Sequence, residues 1–235
     1  MNPMMWGVHA NNNFMIYFLI AMIIPMIAHG YLMSTIGRYK RKNASAGLTG
    51  HDVARRLLDR NGLNNVRIEI TSGKLSDHYD PRSRTVRLSP DIHNKTTIAA
   101  VSVAAHEVGH AIQHAEDFGL LRLRSALVPV VNISNRFGFI IIIVGLMLEM
   151  FMLAQIGIIL IAGMFIFQLV TLPVEFNAST RAMAGMEDMN ILYSHNEKRG
   201  ARKVLTAAAL TYVAALIVAL MELLRWVAIL NSRRR

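Results

Sequence analysis

Long apolar segments constrain this chain more than any other feature of its sequence. Residues 14–36 contain no Asp, Glu, Lys or Arg, and a transmembrane helix needs about 20 predominantly apolar residues. Residues 126–174 are long enough for two spans that turn near residues 149–155, and residues 204–230 form a further candidate. The sequence therefore predicts a mainly α membrane protein with about four transmembrane helices.

The composition agrees with a chain that is only partly embedded in a membrane. Apolar residues make up 53% of the chain, and its mean hydropathy is +0.36. The chain is therefore too apolar for one soluble domain and not apolar enough for a protein that lies entirely within the membrane. The chain has no cysteine, which excludes disulfides and a thiol nucleophile.

Positive charge is in excess, and its distribution predicts an orientation in the membrane. The net charge is +10, which we interpret as the basic loops of a bacterial membrane protein rather than a nucleic-acid surface. No Lys or Arg precedes Arg38, which favours a first transmembrane helix over a signal peptide. If residues 126–174 form a hairpin, the basic residues on one side of the membrane are Arg38, Lys40, Arg41, Lys42, Arg122, Arg124, Lys198, Arg199, Arg202 and Lys203.

The positive-inside rule places this basic side in the cytoplasm and the N-terminus outside. The three arginines at residues 233–235 disagree, because a complete last span would put them outside. We base the predicted orientation on the larger group of basic residues, the ten that precede residue 204. The prediction is a multi-pass protein of the bacterial inner membrane with its active site in the cytoplasm.

Residues 106–110 read His-Glu-Val-Gly-His, inside a predicted helix over residues 96–114. Residues four apart on a helix lie about 40° apart around its axis. His106 and His110 can therefore share one Zn²⁺, and Glu107 beside them can act as general base. This pattern indicates metal-assisted hydrolysis, most often of a peptide bond; two ordinary histidines are the alternative. Gly109 weakens a helix by about 1 kcal/mol relative to Ala, so either a ligand or a close helix crossing needs space there.

A catalytic zinc needs a third protein ligand, and Glu175 is the candidate. Glu175 stands where a long apolar segment ends, a position at which a carboxylate needs a partner. An ordinary Glu that begins a helix after Pro173 is the alternative. Ser179 follows one turn later on the same helix face and could hydrogen-bond a metal ligand. His114 is not expected to be a ligand, because it would lie roughly 12 Å from His106 along the helix axis.

Residues 43–125 are predicted to form a small α+β catalytic domain outside the membrane. A helix is expected over residues 51–60, ended by Asn61-Gly62, and a strand over residues 66–70. A β-hairpin joins residues 75–79 to residues 84–88 through the turn Asp80-Pro81-Arg82-Ser83. Its second strand is expected to be an edge strand beside the zinc helix, to which an extended peptide could add. A plain structural strand is the alternative.

With these residues assembled, the chain resembles the YugP-like neutral zinc metallopeptidases of bacterial membranes. The similarity covers nearly the whole chain after the first apolar segment. It is carried by residues 47–50, 77–82, 87–90, 106–110, 174–179, 200–205 and 209–214. The layout also resembles the HtpX-type membrane gluzincins, in which H-E-x-x-H and a later Glu-x-x-x-Asp are separated by membrane helices. This chain has Ser179 where that wider group carries Asp.

The resemblance implies an integral membrane zinc metalloendopeptidase of the gluzincin type. One Zn²⁺ per chain would be held at the membrane surface by His106, His110 and Glu175, with Glu107 as the catalytic base. A second electrophile would stabilise the oxyanion. The candidates for that role are Tyr193, His195 and Arg202.

The predicted organisation follows the apolar segments. Residues 1–42 are the first transmembrane helix with its basic flank, 43–125 the zinc-peptidase part, 126–174 a transmembrane hairpin, 175–203 the third-ligand helix and loop, and 204–235 the last transmembrane helix with a basic tail. The expected partners are a protein or peptide substrate, including membrane proteins by analogy with HtpX-type enzymes, and the lipid bilayer. Nucleic acid is not expected, and no oligomeric state is predicted.

Two other functions remain open from the sequence. The chain could be an intramembrane protease of the site-2 type, in which H-E-x-x-H lies within a spanning helix. Against this, residues 98–113 are short for a span, and Glu116 and Asp117 follow directly. It could also be a membrane scaffold without enzymatic activity, with a structural metal or none.

Overall fold

The computed structural model describes residues 3–73 and 75–233 of the chain. The chain divides into two compact units. The membrane unit comprises Met1–His29, Leu123–Leu172 and Thr211–Arg235, and the surface unit comprises Gly30–Arg122 and Pro173–Leu210. Arg234 and Arg235, on which part of the orientation argument depends, lie outside the described residues.

Helices make up most of the described residues, with a small sheet between the second and third of them. In chain order the elements are α1 (Pro3–Tyr39), α2 (Gly50–Arg60), β1 (Arg67–Ile70), β2 (His78–Asp80), β3 (Thr85–Leu88), α3 (Pro90–His93), α4 (Ile98–Ala115), α5 (Gly119–Ile133), α6 (Phe139–Met147), α7 (Phe151–Asp188) and α8 (His195–Arg233).

Among the described residues, four helical segments are long and apolar enough to cross a membrane. They are Met15–Tyr39, Gly119–Met147, Phe151–Asp188 and His195–Arg233. The second consists of α5 and α6, which a π-helical turn at Ser134–Gly138 joins. The finding confirms the predicted mainly α membrane protein with a small α+β part.

Small residues bring α6 and α7 together within the membrane unit. A Cβ on Gly145 would lie 2.4 Å from the backbone nitrogen of Ala154, and one on Gly157 would lie 2.5 Å from Ile142. Side chains larger than hydrogen would therefore force the two helices apart. Close backbone approach at small residues is the usual way in which membrane helices associate. The hairpin turns at residues 148–150, beside the predicted residues 149–155.

Local signals account for α2 in the surface unit. Thr49 and Asp52 form a capping box at its start, in which each side chain accepts from the backbone of the other. Val53 and Leu57 lie on one face of the helix and are buried in the core. Gly62 follows the helix with φ +72, a conformation that glycine adopts without strain. The predicted helix and its stop are confirmed.

The sheet has the order β1-β3-β2. β2 and β3 pair antiparallel and form the predicted hairpin. Its turn is stabilised by Asp80, which accepts from the backbone nitrogen of Arg82 and the hydroxyl of Ser83. β1 lies on the other side of β3 and pairs parallel with it.

The prediction that residues 85–88 form an edge strand is wrong. β3 is the central strand, and Val86 and Leu88 are fully buried. The alternation in the sequence comes from Arg87, which forms ion pairs with Asp80 on β2 and Glu69 on β1. The strand therefore has one charged side chain although both its edges are paired, and the edges of this sheet are β1 and β2.

The helix α4 carries the His-Glu-Val-Gly-His residues and is largely enclosed in the core of the surface unit. It begins after Thr97, whose side chain accepts from the backbone nitrogen of Ala100. Its small residues, among them Ala104, Ala105 and Ala111, are buried. Small side chains let neighbouring elements approach this helix closely, which brings them within reach of its histidines.

Candidate metal centre

The two histidines of α4 project from one face, as the spacing predicts. The ring centroids of His106 and His110 lie 4.8 Å apart, and the rings are inclined at 84°. Their side chains are 13% and 12% exposed. Each ring therefore presents a nitrogen in a partly enclosed space that solvent still reaches.

The carboxylate of Glu175 on α7 lies close to both of these rings. Its Oε2 lies 3.3 Å from Nε2 of His106 and 3.4 Å from Nε2 of His110. The residue is 1% exposed, so water does not solvate its carboxylate. One ligand atom from each of the three residues lies within 4.8 Å of the other two, and together they could hold a metal ion.

The donor set and its spacing fit zinc. Ligands at about 2.0–2.1 Å from a tetrahedral ion are separated from one another by about 3.3 Å. The two N–O separations of 3.3 and 3.4 Å have this size. Two imidazoles and one carboxylate also match the chemistry of a catalytic zinc site, which leaves a fourth position open.

A close crossing of α4 and α7 places Glu175 next to the two histidines. α4 and α7 cross at Gly109 and Ala178, where a Cβ on Gly109 would lie 2.6 Å from the Ala178 carbonyl oxygen. No side chain larger than hydrogen fits at that position without a shift of α7. The sequence left open whether a ligand or a helix crossing required Gly109, and the structure identifies a crossing.

Gln113 hydrogen-bonds both to a histidine of α4 and to α7. Its fully buried side chain donates from Nε2 to the Val174 carbonyl at 2.8 Å and to Asn177 Oδ1 at 2.9 Å. The other end of the amide, Oε1, therefore faces Nδ1 of His110 at 3.0 Å. Only a protonated Nδ1 can donate to this oxygen, so the neutral ring has its lone pair on Nε2, on the side of Glu175.

A chain of polar contacts continues from Gln113 to the surface. Arg181 donates from Nε to Asn177 Oδ1 at 2.8 Å, which fixes the orientation of that amide. The same guanidinium forms two hydrogen bonds with Glu116, at 2.9 and 2.6 Å. Glu116 directly follows α4, so these contacts join α4 to α7 beyond the metal cluster.

Ser179 lies one turn after Glu175, and its hydroxyl is 3.2 Å from Nδ1 of His106. His106 thus has Ser179 at one ring nitrogen and Glu175 at the other. A hydroxyl can accept from Nδ1–H and so favour the tautomer with a free Nε2. Ser179 thus lies at Nδ1 of His106, just as Gln113 lies at Nδ1 of His110.

Glu107 lies beside the cluster and is 7% exposed. Burial raises the pKa of its carboxyl, an effect that the imidazoles of His106 and His110 only partly offset. Glu175 and Asp77 raise the pKa further. A carboxyl in such surroundings is a stronger base than one in water.

The strand β2 packs against α4. The hydroxyl of Tyr79 is 2.8 Å from Nδ1 of His114, and Asp77, just before the strand, interacts electrostatically with Glu107. His114 is not among the three described residues that form the metal cluster. β2 therefore contacts α4 near its C-terminal end, two turns after Glu107.

The three oxyanion candidates have their described contacts away from the metal cluster. Tyr193 is 65% exposed, and its backbone nitrogen donates to Glu197. His195 lies at the start of α8, 3.2 Å from the guanidinium of Arg199. Arg202 lies 3.4 Å from Glu187. None of these contacts selects one of the three for the role.

The sequence did not point to Gln113 or to Tyr79. Gln113 lies one turn after His110, within the same predicted helix. A signal did exist, because a polar amide among small apolar residues on a buried helix needs a partner. Tyr79 could not be found this way, because its distance to α4 depends on the sheet order.

Comparisons with known proteins identify the family to which the chain is similar. A profile of the family described as "Putative neutral zinc metallopeptidase" matches residues 14–231. A protein of Bacillus subtilis (strain 168) named "Putative membrane protease YugP" is 49% identical over 201 residues, which cover 85% of this chain and 89% of that protein. No solved structure gives a significant match to the chain.

Proposed function

This chain belongs to the neutral zinc metallopeptidase family, and we propose that it is an integral membrane zinc endopeptidase of the gluzincin type. Its zinc ligands are His106, His110 and Glu175, and its catalytic base is Glu107. The main observation behind the proposal is that Glu175 contacts two histidines from a distant part of the chain. Its Oε2 lies 3.3 Å from Nε2 of His106 and 3.4 Å from Nε2 of His110.

The chemistry follows from the residues around the cluster. When bound, Zn²⁺ lowers the pKa of a coordinated water to about 7 and polarises the scissile carbonyl. Glu107 accepts the proton that the attacking water loses and donates it to the leaving amine. Gln113 and Ser179 hold the two imidazoles in the tautomer that presents Nε2 as ligand.

The sheet edge beside α4 suits an extended peptide. β2 is an edge strand of the described sheet and lies on the side of α4 that carries Glu107 and His114. Backbone hydrogen bonds to such an edge would hold a peptide independently of its sequence. The predicted peptide-binding role thus moves from β3 to β2.

The site is proposed to lie at the membrane surface, in the cytoplasm of a bacterial cell. α7 has 38 residues and is about 57 Å long, whereas the apolar core of a bilayer is about 30 Å thick. Glu175 lies in the part of α7 that belongs to the surface unit. The basic residues near the ends of the apolar segments support the cytoplasmic side.

The intramembrane protease is less well supported than the surface enzyme. α4 is not among the four segments that are long and apolar enough to span a membrane. It packs instead with α2 and the sheet in the core of the surface unit. A site-2 type enzyme would need its H-E-x-x-H residues in a spanning helix.

The proposal is tested by Glu107→Gln, which removes the base and keeps the size of the side chain. Purified wild-type protein with zinc is expected to cleave an unfolded protein substrate in detergent, and the variant is expected to lose at least roughly 100-fold in rate. Zinc content should be the same in both. Unchanged cleavage by the variant would refute the assigned mechanism, and absence of zinc from both proteins would favour the scaffold.

A further inference from the structure

A second pair of histidines lies in the surface unit, outside the candidate metal centre. His51 is on the first turn of α2, and His93 is the last residue of α3. Their ring centroids lie 4.8 Å apart, and the rings are inclined at 44°. The rings of His106 and His110 have the same separation, so the two pairs are equally close.

A close backbone contact brings His51 and His93 together. Gly50 and Ile92 directly precede them in the chain, and a Cβ on Gly50 would overlap the carbonyl oxygen of Ile92. A larger residue at position 50 would therefore require a shift of α3. Ile92 is 1% exposed and belongs to the core of the surface unit. The packing of α2 against α3 thus fixes the positions from which the two rings extend.

Each ring has a polar partner at Nδ1. Nδ1 of His93 lies 2.7 Å from Oδ1 of Asn94, an oxygen that can only accept a hydrogen bond. Nδ1 of His51 lies 3.7 Å from Oδ1 of Asp52, and this carboxylate favours a proton on that nitrogen. The neutral rings therefore have their lone pairs on Nε2. The candidate metal centre has the same arrangement, with an amide and a hydroxyl at Nδ1 of its two histidines.

Asp52 also places a negative charge beside the pair. Thr49 donates to its Oδ2 from the hydroxyl at 2.6 Å and from the backbone nitrogen at 2.9 Å. These hydrogen bonds hold the pKa of the Asp52 carboxyl below its ordinary value. The carboxylate is therefore ionised at neutral pH, and it attracts a cation bound by the neighbouring ring of His51.

We propose that His51 and His93 bind a divalent transition-metal ion of the kind that imidazole prefers, such as Zn²⁺, through Nε2 of each ring. The site is separate from the proposed catalytic zinc and does not depend on it. Among the described residues only His106, His110 and Glu175 form a group of three potential ligands, so water completes the coordination at the second site. Two protein ligands supply less binding free energy than three. The second ion therefore binds more weakly than the first, and it joins α2 to α3.

A zinc titration of the full-length protein in detergent tests this proposal. Wild type, His51→Ala, His93→Ala and the control His78→Gln are first dialysed against a chelator that leaves only the tighter site filled. His78 is also an exposed histidine of the surface unit, and its Nδ1 lies 2.7 Å from the carbonyl oxygen of Ser76. Bound zinc is then measured as Zn²⁺ is added, and either of the two alanine variants decides the test if the other does not fold.

Wild type and His78→Gln should each bind one further ion with the same affinity. His51→Ala and His93→Ala should bind it at least roughly 10-fold more weakly, because loss of a ligand costs no less than loss of a residue that orients one. The Tm of wild type should rise with zinc over the same concentration range, and this rise should be absent from both alanine variants. A merely structural role of the pair would change the starting Tm but not its dependence on zinc.

Two results would overturn the proposal. One is a wild type that binds no second ion over the titrated range. The other is an equal affinity for the second ion in all four proteins, because zinc would then bind to surface histidines without a specific site. Failure of the proposed catalytic site is a different result, since it would appear as loss of the first, tighter ion.

Discussion

At the scale of single residues, Gly109 is expected to control whether the proposed metal centre can form. Its hydrogen faces the Ala178 carbonyl, which a Cβ would approach to 2.6 Å. Gly109→Ala should therefore separate α4 from α7, lower the free energy of unfolding by about 1–3 kcal/mol, and weaken zinc binding. Thermal unfolding and zinc titration in detergent measure both effects.

Gly119→Ala is the matched control for this variant. Gly119 begins α5, and nothing lies within 4 Å of the position that its Cβ would occupy. This substitution should leave zinc affinity unchanged. If Gly109→Ala binds zinc as tightly as the control does, the crossing at Ala178 is not what brings Glu175 to the histidines.

Gln113 is the second residue with a specific expected effect. Gln113→Leu keeps the approximate volume but removes the acceptor for His110 and both donors to α7. Loss of such a partner of a metal ligand should lower zinc affinity by roughly 10- to 100-fold. Competition with a chelator measures the affinity, and an affinity equal to that of wild type would show that the Gln113 amide does not orient His110.

At the scale of elements, the β2–β3 hairpin should give the surface unit a stability that depends on pH. Hydrogen bonds from Arg87 and Ser83 hold the pKa of Asp80 well below its ordinary value. The stabilisation by Asp80 is thus complete above the unfolded pKa of about 4 and is lost as the pH falls through the lower, folded value.

Asp80→Asn should accordingly lower the Tm at about pH 7, and the difference from wild type should shrink below about pH 4. Thermal unfolding of the two proteins in detergent at several pH values tests this. A difference that stays constant with pH would mean that the charge of Asp80 does not contribute and that only the geometry of the turn matters.

The elements differ in how far the sequence could predict them. α2 and α4 have their signals in neighbouring residues, namely capping threonines and apolar residues at helical spacing, so both were predicted close to their observed bounds. The position of β3 depends on a parallel pairing with β1, which neighbouring residues do not encode. The polar Arg87 made a central strand resemble an edge strand.

At the scale of the whole molecule, the first two proposed zinc ligands could be named from a five-residue pattern, because both lie on one helix. Glu175 could be proposed only as a carboxylate at the end of an apolar segment. Its meeting with His106 depends on the crossing of α4 and α7, which is a property of the folded chain. The contacts of Gln113 with α7 depend on the same crossing, whereas the contact of Ser179 with a histidine could be proposed from its position one turn after Glu175.

The proposed topology can be tested because the chain has no native cysteine. Single cysteines are introduced at the exposed residues Ser72, Asn196 and Met150. In intact cells, a membrane-impermeant maleimide should label Met150→Cys, in the hairpin turn, and should label Ser72→Cys and Asn196→Cys only after permeabilisation. Labelling with the opposite pattern would place the site outside the cytoplasm.

The zinc content of Glu175→Ala tests the central claim most directly. The claim is that ligands from α4 and α7 together bind one zinc ion. After dialysis against the same chelator concentration, wild type and Glu107→Gln should each retain about one zinc per chain, as a site with three protein ligands does. Glu175→Ala should retain almost none. Equal zinc in Glu175→Ala and wild type would contradict the account, because the third ligand would then not be Glu175.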